Sequence, residues 1–446
     1  MGKFCIWGMR LLGRKATHAP GVVVTKIDPN YLRHLTLPDK VIVVTGTNGK
    51  TTVSNMVKDY LEKMGFSVAN NSYGSNTRFG IASALLDNSD RKGRVKTDYV
   101  LLEMDERSCL WVLPYIRTDY LLVTNLFSDS YSRNAHPDFI FSLLDRYIQP
   151  NTKLLLNAED PISNRLALDN ERVYYSIPLL KGEEEERHSR VQDLVNCPVC
   201  QTRLEVDFIR YNHIGRYHCL HCGYQSPEPT YRVVRADLEG QNAILGNGRE
   251  EASYKLPTSN IVDLYNILSA TSILQELGFP LDKIAALSED ISVVRSRFNL
   301  TQVGDKALYT TLAKALNPIA TSRTMAFLKK EAGRKAVVLA NTEYKGPKMT
   351  YVENTAWLYD NDFRYLADES IVQVICCGKR SRDYALCLAL AGVPQDKVVL
   401  CEDHDDIAKK IAYDKVDQVW LLRDTDPDEL FDRMHDQIQE RMEAAL

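Results

Sequence analysis

Short apolar runs alternate with amphipathic segments over much of this chain, beginning at residue 40. The apolar runs have the length of strands, and the segments between them have helical spacing. Strands that alternate with helices of this length are typical of a doubly wound parallel sheet. The predicted strands are 40–45, 66–70, 98–103, 119–124 and 152–156, and the predicted helices are about 50–64, 81–86, about 106–116 and 137–148.

A second alternation of the same kind begins near residue 300. It predicts a smaller α/β domain, again doubly wound and Rossmann-like. Asn317-Pro318 marks its first helix start, because proline fits the first turn of a helix. The predicted strands are 307–313, 335–340, 371–377, 397–400 and 417–422, and the predicted helices are 320–332, 381–391, 405–413 and a charged terminal helix.

The remaining segments divide the chain. The first 39 residues mix basic side chains with proline and glycine, and predict an irregular lead-in with one short helix near 29–35. Short strands are predicted at 231–256, followed by a long amphipathic helix from Asn260. We therefore expect a lead-in at 1–39, a central domain at 40–300 with an insertion at about 192–228, and a C-terminal domain at 301–446.

Composition narrows the class of protein. Lys and Arg number 55 and Asp and Glu 59, a formal net charge of −4, which gives no electrostatic argument for nucleic acid. No apolar run approaches the roughly 18 residues of a membrane span, and the N-terminus lacks the apolar core of a signal peptide. Four of the ten cysteines form two pairs, and the other six lie in apolar segments, as in a reducing compartment. We expect a cytoplasmic protein.

The first predicted strand runs into a glycine-bearing loop. Its backbone N–H groups can approach a polyphosphate, and the N-terminus of the next helix favours negative charge. Lys50 can reach the β- and γ-phosphates, and Thr51 can bind Mg²⁺. Val44 replaces the first glycine of the general motif, so a chance glycine-rich turn is the alternative. The predicted ATP-binding residues are Gly46, Thr47, Asn48, Gly49, Lys50, Thr51 and Thr52.

A carboxylate, Glu103, ends the third predicted strand. Ligands of a doubly wound sheet bind beyond the carboxyl ends of its strands, where Asn125 also lies. Glu103 is therefore a candidate for a second Mg²⁺ contact or for positioning a water. The alternative is an exposed acidic helix cap of the kind that Asp105 or Glu106 would form.

Four cysteines form two C-x-x-C pairs that are eighteen residues apart, and they are Cys197, Cys200, Cys219 and Cys222. Four thiolates at this spacing predict a zinc ribbon with a filled tetrahedral shell, hence a structural metal. An Fe–S cluster is the minor alternative. His213, His218 or His221 could replace a cysteine, although exposed ribbon histidines are the simpler interpretation.

Three further candidates for functional residues lie outside these motifs, and each has a structural alternative. Asn266, in the long helix, could contact a base or ribose, or be a capping or surface residue. Arg297 could contact phosphate or adenine, or lie in a charged turn. The long segment 341–366 contains aromatic residues between acids, which favours a functional loop, with packing onto its own domain as the alternative.

The phosphate loop with its displaced glycine resembles that of the Mur ligases, the ATP-dependent amide-forming enzymes of peptidoglycan synthesis. The four-cysteine insertion is similar to that of one branch of this family, the MurT subunits of lipid II isoglutaminyl synthases. Further similar segments extend over nearly the whole chain, and they are Asn71 to Gly74, Asn76, Leu102 to Glu106, Thr124 to Phe127, Leu155 to Asn157, Leu264 to Asn266, Asn317-Pro318 and Trp357 to Phe363.

The resemblance implies a mechanism. ATP phosphorylates the α-carboxyl of D-glutamate in the lipid II stem peptide, and ammonia converts the acyl phosphate to D-isoglutamine. Lys50 stabilises the transferring phosphoryl group, and Thr51 and Glu103 position Mg²⁺. A GatD-like glutamine amidotransferase subunit supplies the ammonia, so the resemblance implies a heterodimer. Asp360 is a further candidate catalytic residue.

The chain departs from the family pattern at several positions. The family lends an aspartate to the Cys–His pair of the partner, and here Asn354 stands at that position; an asparagine can also orient a catalytic histidine. The other departures are Ser128, Ser269, Asn299 and Leu316. They leave open a divergent, weakly active ATP-binding scaffold or paralogue that recruits or regulates a partner. A different Mur-type or folylpolyglutamate-type ligase has less support, because the ribbon belongs to the amidating branch.

Overall fold

Two large β-sheets organise the chain, and each belongs to its own structural unit. The first unit comprises 1–127, 136–187 and 192–294, and the second comprises 295–446 with the short segments 128–135 and 188–191. The computed structural model describes residues 2–11, 17–71, 75–128, 136–181, 183, 193–291, 298–312, 317–340, 356–423 and 428–445. Arg297, Leu316 and Asn354 lie outside the described residues, as do three residues of the segment Asn71 to Gly74.

The sheet of the first unit has nine strands, and a separate hairpin has two. In chain order the strands are β1 Lys40–Thr45, β2 Val68–Asn70, β3 Tyr99–Glu103, β4 Tyr120–Val123, β5 Lys153–Asn157, β6 Arg172–Ser176, β7 Glu205–Tyr211, β8 Ile214–His218, β9 Tyr231–Asp237, β10 Asn242–Gly246 and β11 Glu251–Lys255. The sheet order is β11-β10-β9-β6-β5-β4-β1-β3-β2. Every neighbouring pair from β2 to β9 is parallel, whereas β10 and β11 add antiparallel pairs at one edge.

Helices cover this sheet, and the predicted doubly wound architecture is confirmed. The helices of the first unit are α1 Gly2–Leu11, α2 Ala19–Ile27, α3 Lys50–Lys63, α4 Arg78–Asn88, α5 Cys109–Val112, α6 Pro137–Tyr147, α7 Ile261–Glu276 and α8 Leu281–Leu287. Val41 to Val44 of β1 are fully buried, as are Leu121 and Leu122 of β4. An apolar strand buried on both faces is what a parallel sheet between helix layers requires. The central strand β1 thus delivers its following loop to the carboxyl edge.

The prediction of an irregular lead-in is wrong, because α1 and α2 are regular helices. The short helix predicted near 29–35 is confirmed as the 3₁₀ helix Tyr31–His34. Ile6 and Val24 are buried in the same apolar core as Leu86 of α4. Gly21 packs so closely on α4 that an added Cβ would lie 1.8 Å from the carbonyl oxygen of Phe79. The predicted helix at 106–116 is also too long: the structure has a 3₁₀ turn, Glu106–Ser108, followed by the single turn of α5.

The hairpin of β7 and β8 belongs to an excursion between two neighbouring strands. β6 and β9 pair directly, in parallel, through Tyr175 with Tyr231 and Ser176 with Arg232. The chain between them contains the hairpin and the four paired cysteines. The predicted insertion therefore occupies the crossover connection that two parallel strands need.

The second unit contains a six-stranded sheet of order β12-β13-β17-β14-β15-β16. Its elements are β12 Phe298–Val303, β13 Lys306–Leu312, α9 Pro318–Lys330, β14 Lys335–Leu339, β15 Ile371–Cys377, α10 Ser381–Leu390, β16 Val398–Cys401, α11 Ile407–Lys410, β17 Gln418–Arg423 and α12 Asp428–Ala444. All pairs are parallel except β12 with β13. Sequence analysis did not predict β12, which spans the expected boundary at residue 300. Asn317 caps α9 as expected, since its Oδ1 accepts a hydrogen bond from the N–H of Ala320.

Aromatic residues that suggested a functional loop are part of the core of this second unit. Trp357 is 2% exposed and Phe363 is fully buried, and both pack with Leu339 of β14 and Leu422 of β17. Packing onto their own domain, the alternative interpretation, is therefore correct for these two residues. Among the helices of the described ranges, none is both long and apolar enough to cross a bilayer.

Candidate functional site

The phosphate loop joins β1 to α3 in a conformation that depends on its two glycines. Gly46 and Gly49 have positive φ angles of 124° and 88°, which residues with a Cβ rarely adopt. An added Cβ would lie 2.3 Å from Thr124 Oγ1 at Gly46 and 2.5 Å from Asn266 Oδ1 at Gly49. Both conformation and space therefore require glycine, and the loop leads directly into the N-terminus of α3 at Lys50.

The ammonium group of Lys50 folds back over this loop. It donates to the carbonyl oxygens of Gly46 and Thr47, and it lies 2.8 Å from Glu106 Oε1. Burial lowers the pKa of Lys50, but the charge and hydrogen bond of Glu106 outweigh this and raise the pKa. Burial raises the pKa of Glu106, against the opposing charge of Lys50. The Lys50 side chain, which is 11% exposed, is therefore charged and held at the loop.

Sequence analysis assigned no role at the phosphate loop to Glu106, which contacts Lys50. Its side chain is 4% exposed, so the interpretation as an exposed helix cap is wrong. The neighbouring Asp105 does act as a cap, because its Oδ1 accepts from the N–H of Arg107, although it too is buried. The position of Glu106 one turn after the end of β3 was the available signal.

Thr51 and Glu103 meet at the same edge of the sheet. Thr51 Oγ1 donates to Glu103 Oε1 at 2.9 Å, and Asn76 Nδ2 donates to the same oxygen at 3.1 Å. Asn71 holds the backbone of Glu103 through two hydrogen bonds, of 2.8 and 2.9 Å. A hydroxyl and a carboxylate oxygen are ligands that suit Mg²⁺. The side chains that were predicted to hold this ion therefore fit it.

The segment after β4 supports the other side of the loop. Thr124 Oγ1 donates to the carbonyl of Asn48 at 2.6 Å, and Asn125 both accepts from Asn48 N–H and donates to its carbonyl. Phe127 N–H donates to Thr47 Oγ1 at 2.9 Å. Thr47 and Asn48 are therefore held through side chains and backbone alike. Thr52 is half-buried in the first turn of α3.

The long helix α7 brings Asn266 to the loop. Asn266 is 6% exposed, and its Oδ1 occupies the space beside Gly49. The alternative interpretation of Asn266 as a surface or capping residue is therefore wrong; Asn260 is the residue that caps α7. Ser269, one of the departures from the family pattern, is buried in the same helix and donates to the carbonyl of Tyr265.

The four paired cysteines converge as their spacing predicts. Their Sγ atoms all lie within 4.8 Å of one another, and the Cys197–Cys222 and Cys200–Cys219 distances are both 3.5 Å. A tetrahedral Zn²⁺ with Zn–S distances of about 2.3 Å separates its sulfur ligands by about 3.8 Å. The cluster therefore fits a four-coordinate metal with no open position.

Two of the three nearby histidines contact carboxylates. His213 Nε2 lies 3.1 Å from Asp160 Oδ1, and His218 Nδ1 lies 2.8 Å from Asp207 Oδ1. His221 is exposed as expected, and His218 is partly exposed. His213 is fully buried, so the expectation of an exposed ribbon histidine is wrong for this residue.

The remaining predicted site residues belong to the second unit or lie outside the described residues. Asp360 ends a 3₁₀ turn of the second unit, where it is partly exposed. Asn299 is exposed in β12, and Ser128 is half-buried after the Phe127 segment. Catalytic roles for Asp360 and Asn354 and a nucleotide contact by Arg297 remain predictions.

Two protein-family models match separate parts of the chain. Residues 44–202 match the model of the Mur ligase middle domain, and residues 312–424 match that of the MurT ligase C-terminal family. The MurT subunit of lipid II isoglutaminyl synthase (glutamine-hydrolyzing) from Staphylococcus aureus strain COL is 29% identical over 91% of this chain and 90% of its own length. The subunit of the same name from Streptococcus pneumoniae strain R6 is 26% identical over 92% and 90%.

Solved structures show the same fold at lower identity. A pseudomurein peptide ligase type C from Methanothermus fervidus has a TM-score of 0.67 at 20% identity, covering 93% of this chain and 80% of its own. A MurF ligase from Thermotoga maritima in complex with ADP has a TM-score of 0.60 at 15% identity, covering 96% and 85%. At these identities the likeness establishes the architecture.

Proposed function

The chain belongs to the Mur ligase family and resembles its MurT subunits over nine tenths of its length, and on that premise we propose that it is the synthetase subunit of a lipid II isoglutaminyl synthase. It uses ATP to amidate the α-carboxyl of D-glutamate in the lipid II stem peptide, giving D-isoglutamine. A GatD-like glutamine amidotransferase partner supplies the ammonia. The reaction belongs to peptidoglycan synthesis on the cytoplasmic side of the membrane.

The chemistry divides into two displacements. In the first, an oxygen of the D-glutamate α-carboxylate attacks the γ-phosphorus, the bond to ADP breaks and an acyl phosphate forms. In the second, the lone pair of ammonia attacks the acyl carbon, the bond to phosphate breaks and a proton is released. Both steps develop negative charge on phosphoryl oxygens, which a fixed cation stabilises.

The residues of the phosphate loop suit the first step. The ammonium of Lys50, now bonded to Glu106 and two carbonyl oxygens, would exchange these acceptors for phosphate oxygens. Thr51 and Glu103 would hold Mg²⁺, which neutralises charge on the β- and γ-phosphates when bound. The contact between Thr51 and Glu103, next to a buried charged Lys50, is the observation that carries the proposal.

Two finer proposals accompany this function. We infer that the four-cysteine cluster binds zinc in a structural role, since four thiolates complete its preferred shell. We also infer that Asn354 takes the place of the family aspartate that orients the histidine of the partner glutaminase. Chain-wide similarity to MurT subunits supports this correspondence.

Reconstitution tests the function directly. The purified chain is combined with a GatD-like glutaminase subunit, lipid II, ATP, Mg²⁺ and glutamine, and the stem peptide is followed by mass spectrometry. We expect conversion of D-glutamate to D-isoglutamine that requires every component. The variant Lys50→Ala should lower turnover by about 10²- to 10³-fold, because it removes the cation that stabilises negative charge on the transferring phosphoryl group.

The outcome also decides between this function and the scaffold alternative. Nucleotide binding without amidation, under conditions in which an S. aureus MurT pair turns over, would favour a divergent scaffold that recruits a partner. Restoring aspartate with Asn354→Asp then shows whether the departure at this position limits ammonia supply. Ammonium chloride given in place of glutamine bypasses the glutaminase and separates the two subunits' contributions.

A further inference from the structure

A group of buried charges lies where the ribbon insertion meets the sheet. We call the cluster of Glu159, Asp160, Arg210 and His213 the ribbon root. All four side chains are at most 8% exposed, and Glu159 and Asp160 are fully buried. Glu159 and Asp160 follow β5, whereas Arg210 and His213 come from the hairpin of β7 and β8. Buried charges of this kind are retained only when they are paired, so the contacts that they make are informative.

Arg210 forms the first link. Its guanidinium donates to Glu159 Oε2 and to the hydroxyl of Tyr265, and it makes a fork of 2.9 and 3.0 Å contacts with Glu183. Tyr265 in turn donates to Glu159 Oε2. The next residue of α7 is Asn266, which contacts Gly49 of the phosphate loop. The hairpin therefore fixes the part of α7 that lies against the loop.

His213 forms the second link. Its Nε2 bonds to Asp160 Oδ1 at 3.1 Å, and the other oxygen of Asp160 accepts from the N–H of Leu126 at 2.9 Å. The His213 ring packs on Phe127, with centroids 4.8 Å apart, and Phe127 bonds to Thr47. The hairpin therefore also fixes the segment after β4 that holds the other side of the loop.

The metal cluster is continuous with the ribbon root. Cys197 and Cys219 are buried in one apolar group with Ile209 and Tyr217. Ile209 precedes Arg210, and the hydroxyl of Tyr217 donates to the carbonyl of His213 at 2.9 Å. A metal that orders the cysteines therefore orders the strands from which both links start.

We propose that Arg210 and His213 are positioning residues for the nucleotide, and that metal occupancy of the four-cysteine cluster and nucleotide binding at the phosphate loop strengthen each other. The links run from the hairpin to Gly49 on one side of the loop and to Thr47 on the other. The proposal rests on the nucleotide site of the proposed function and requires no amidation. Thermodynamic linkage makes the effect reciprocal: if metal tightens nucleotide binding, nucleotide must tighten metal binding by the same factor.

The test measures ADP binding by calorimetry on the full chain loaded with zinc. Arg210→Met should weaken ADP binding about tenfold, within the usual range of coupling between sites. Arg216→Met is the matched control, because Arg216 lies in the same hairpin but pairs with the exposed Glu228 at 2.7 Å. The control should bind ADP as the wild type does. Zinc content is measured for each variant to show that the cluster is filled.

A milder variant guards against loss of folding. Tyr265→Phe keeps the buried ring and removes only the hydroxyl that bonds Glu159 and Arg210. It should weaken ADP binding about threefold, as expected for a residue that modulates coupling, while the far-ultraviolet circular dichroism and the zinc content stay unchanged.

The second readout is one that a merely structural role would leave unmoved. Zinc release to a chromogenic chelator is timed with and without saturating ADP. In the wild type, ADP should slow release severalfold, and in Tyr265→Phe the slowing should be reduced. Release that ADP leaves unchanged while calorimetry shows ADP bound would overturn the coupling alone. Failure of the zinc-loaded wild type to bind ADP would overturn both this inference and the proposed function.

Discussion

Two of the buried cation–carboxylate pairs in the first unit differ in their surroundings. In the Lys50–Glu106 pair the cation is 11% exposed and bonds to carbonyl oxygens of a loop that is expected to receive phosphates. In the Arg210–Glu159 pair the cation is 4% exposed and all three of its nitrogens donate within the fold. We call Lys50–Glu106 the exchangeable pair, because a phosphate oxygen can replace Glu106 as the partner of Lys50. We call Arg210–Glu159 the sealed pair, because its contacts all lie within the fold.

The comparison shows that two buried pairs of a cation and a carboxylate can have different roles, one in ligand binding and one in stability. A buried charge whose partner is removed costs several kcal/mol, because nothing replaces the lost solvation. Lys50 avoids this cost when it leaves Glu106, because a phosphate oxygen can take the place of the carboxylate. Arg210 has no such substitute, so its contacts contribute rigidity. Four changes to these pairs and to the residues beside them separate the two roles.

Breaking the sealed pair should have the largest effect. Glu159→Gln keeps the shape of the side chain but leaves the buried charge of Arg210 with Glu183 as its remaining carboxylate. We expect the free energy of unfolding to fall by about 3–5 kcal/mol, measured by urea denaturation of the zinc-loaded chain. Glu228→Gln, an exposed carboxylate in the same region, should leave the midpoint unchanged. Equal midpoints for both variants would mean that the sealed pair does not stabilise the fold.

The histidine of the ribbon root should make stability depend on pH. Burial lowers the pKa of His213, but hydrogen bonds and charges from Asp160 and Asp193 outweigh it and raise the pKa to about 9, above the ordinary 6.5. The stabilisation is therefore complete below about pH 6.5 and is lost as the pH rises through about 9. It amounts to about 3 kcal/mol.

Urea denaturation at a series of pH values measures this dependence. The decrease between pH 6.5 and 9 should be present in the wild type and absent in His213→Gln. His34→Gln, which changes an exposed histidine, should keep the wild-type profile. A His213→Gln profile as steep as that of the wild type would contradict the assignment.

Removing the hydroxyl of Thr51, the proposed Mg²⁺ ligand, should have a smaller effect. Thr51→Val removes the group that donates to Glu103 Oε1 and that is proposed to hold Mg²⁺. We expect the Mg²⁺ concentration for half-maximal amidation to rise about tenfold, as for other changes near bound metals. Thr51→Ser retains the hydroxyl and should restore the wild-type requirement. An unchanged requirement in Thr51→Val would exclude Thr51 as a ligand.

Weakening the exchangeable pair should have the smallest effect, and of opposite sign. Glu106→Gln removes the carboxylate that competes with phosphate oxygens for Lys50. ADP should therefore bind more tightly, by about two- to fivefold, because a charged acceptor holds the ammonium about twice as strongly as a neutral one. Weaker binding of ADP by this variant would show that Glu106 assists the nucleotide instead of competing with it.

The parts of the site that sequence predicted are those whose residues act within a few positions of one another. Gly46 to Thr51 form one strand-loop-helix turn, and each C-x-x-C pair is one tight knuckle. Local chain geometry nearly determines where such residues lie. The alternation of strands and helices and the position of Glu103 at the carboxyl edge followed from the same short-range pattern.

The parts that sequence did not predict depend on distant partners. Glu159 lies 51 positions from Arg210, and Asp160 lies 53 positions from His213. A charged residue that will be buried has the same local pattern as one that stays exposed, so the ribbon root was not recognised. The prediction of an irregular lead-in at residues 1–39 failed for a related reason. Pro20-Gly21 suggests an interruption of helical structure, but Pro20 lies in the first turn of α2 and Gly21 allows this helix to contact α4 closely.

The hydrogen bond between Tyr265 and Glu159 also bears on the order in which parts of the protein fold during synthesis. It joins residues 106 positions apart, and the bond between Phe127 and Thr47 joins residues 80 positions apart. Contacts at such separations form late, because long loops must close first. On the ribosome, a nascent chain synthesised only as far as β4 therefore has the phosphate loop without the α7 side of its support. We therefore expect the phosphate loop to gain its full support only after α7 has been synthesised.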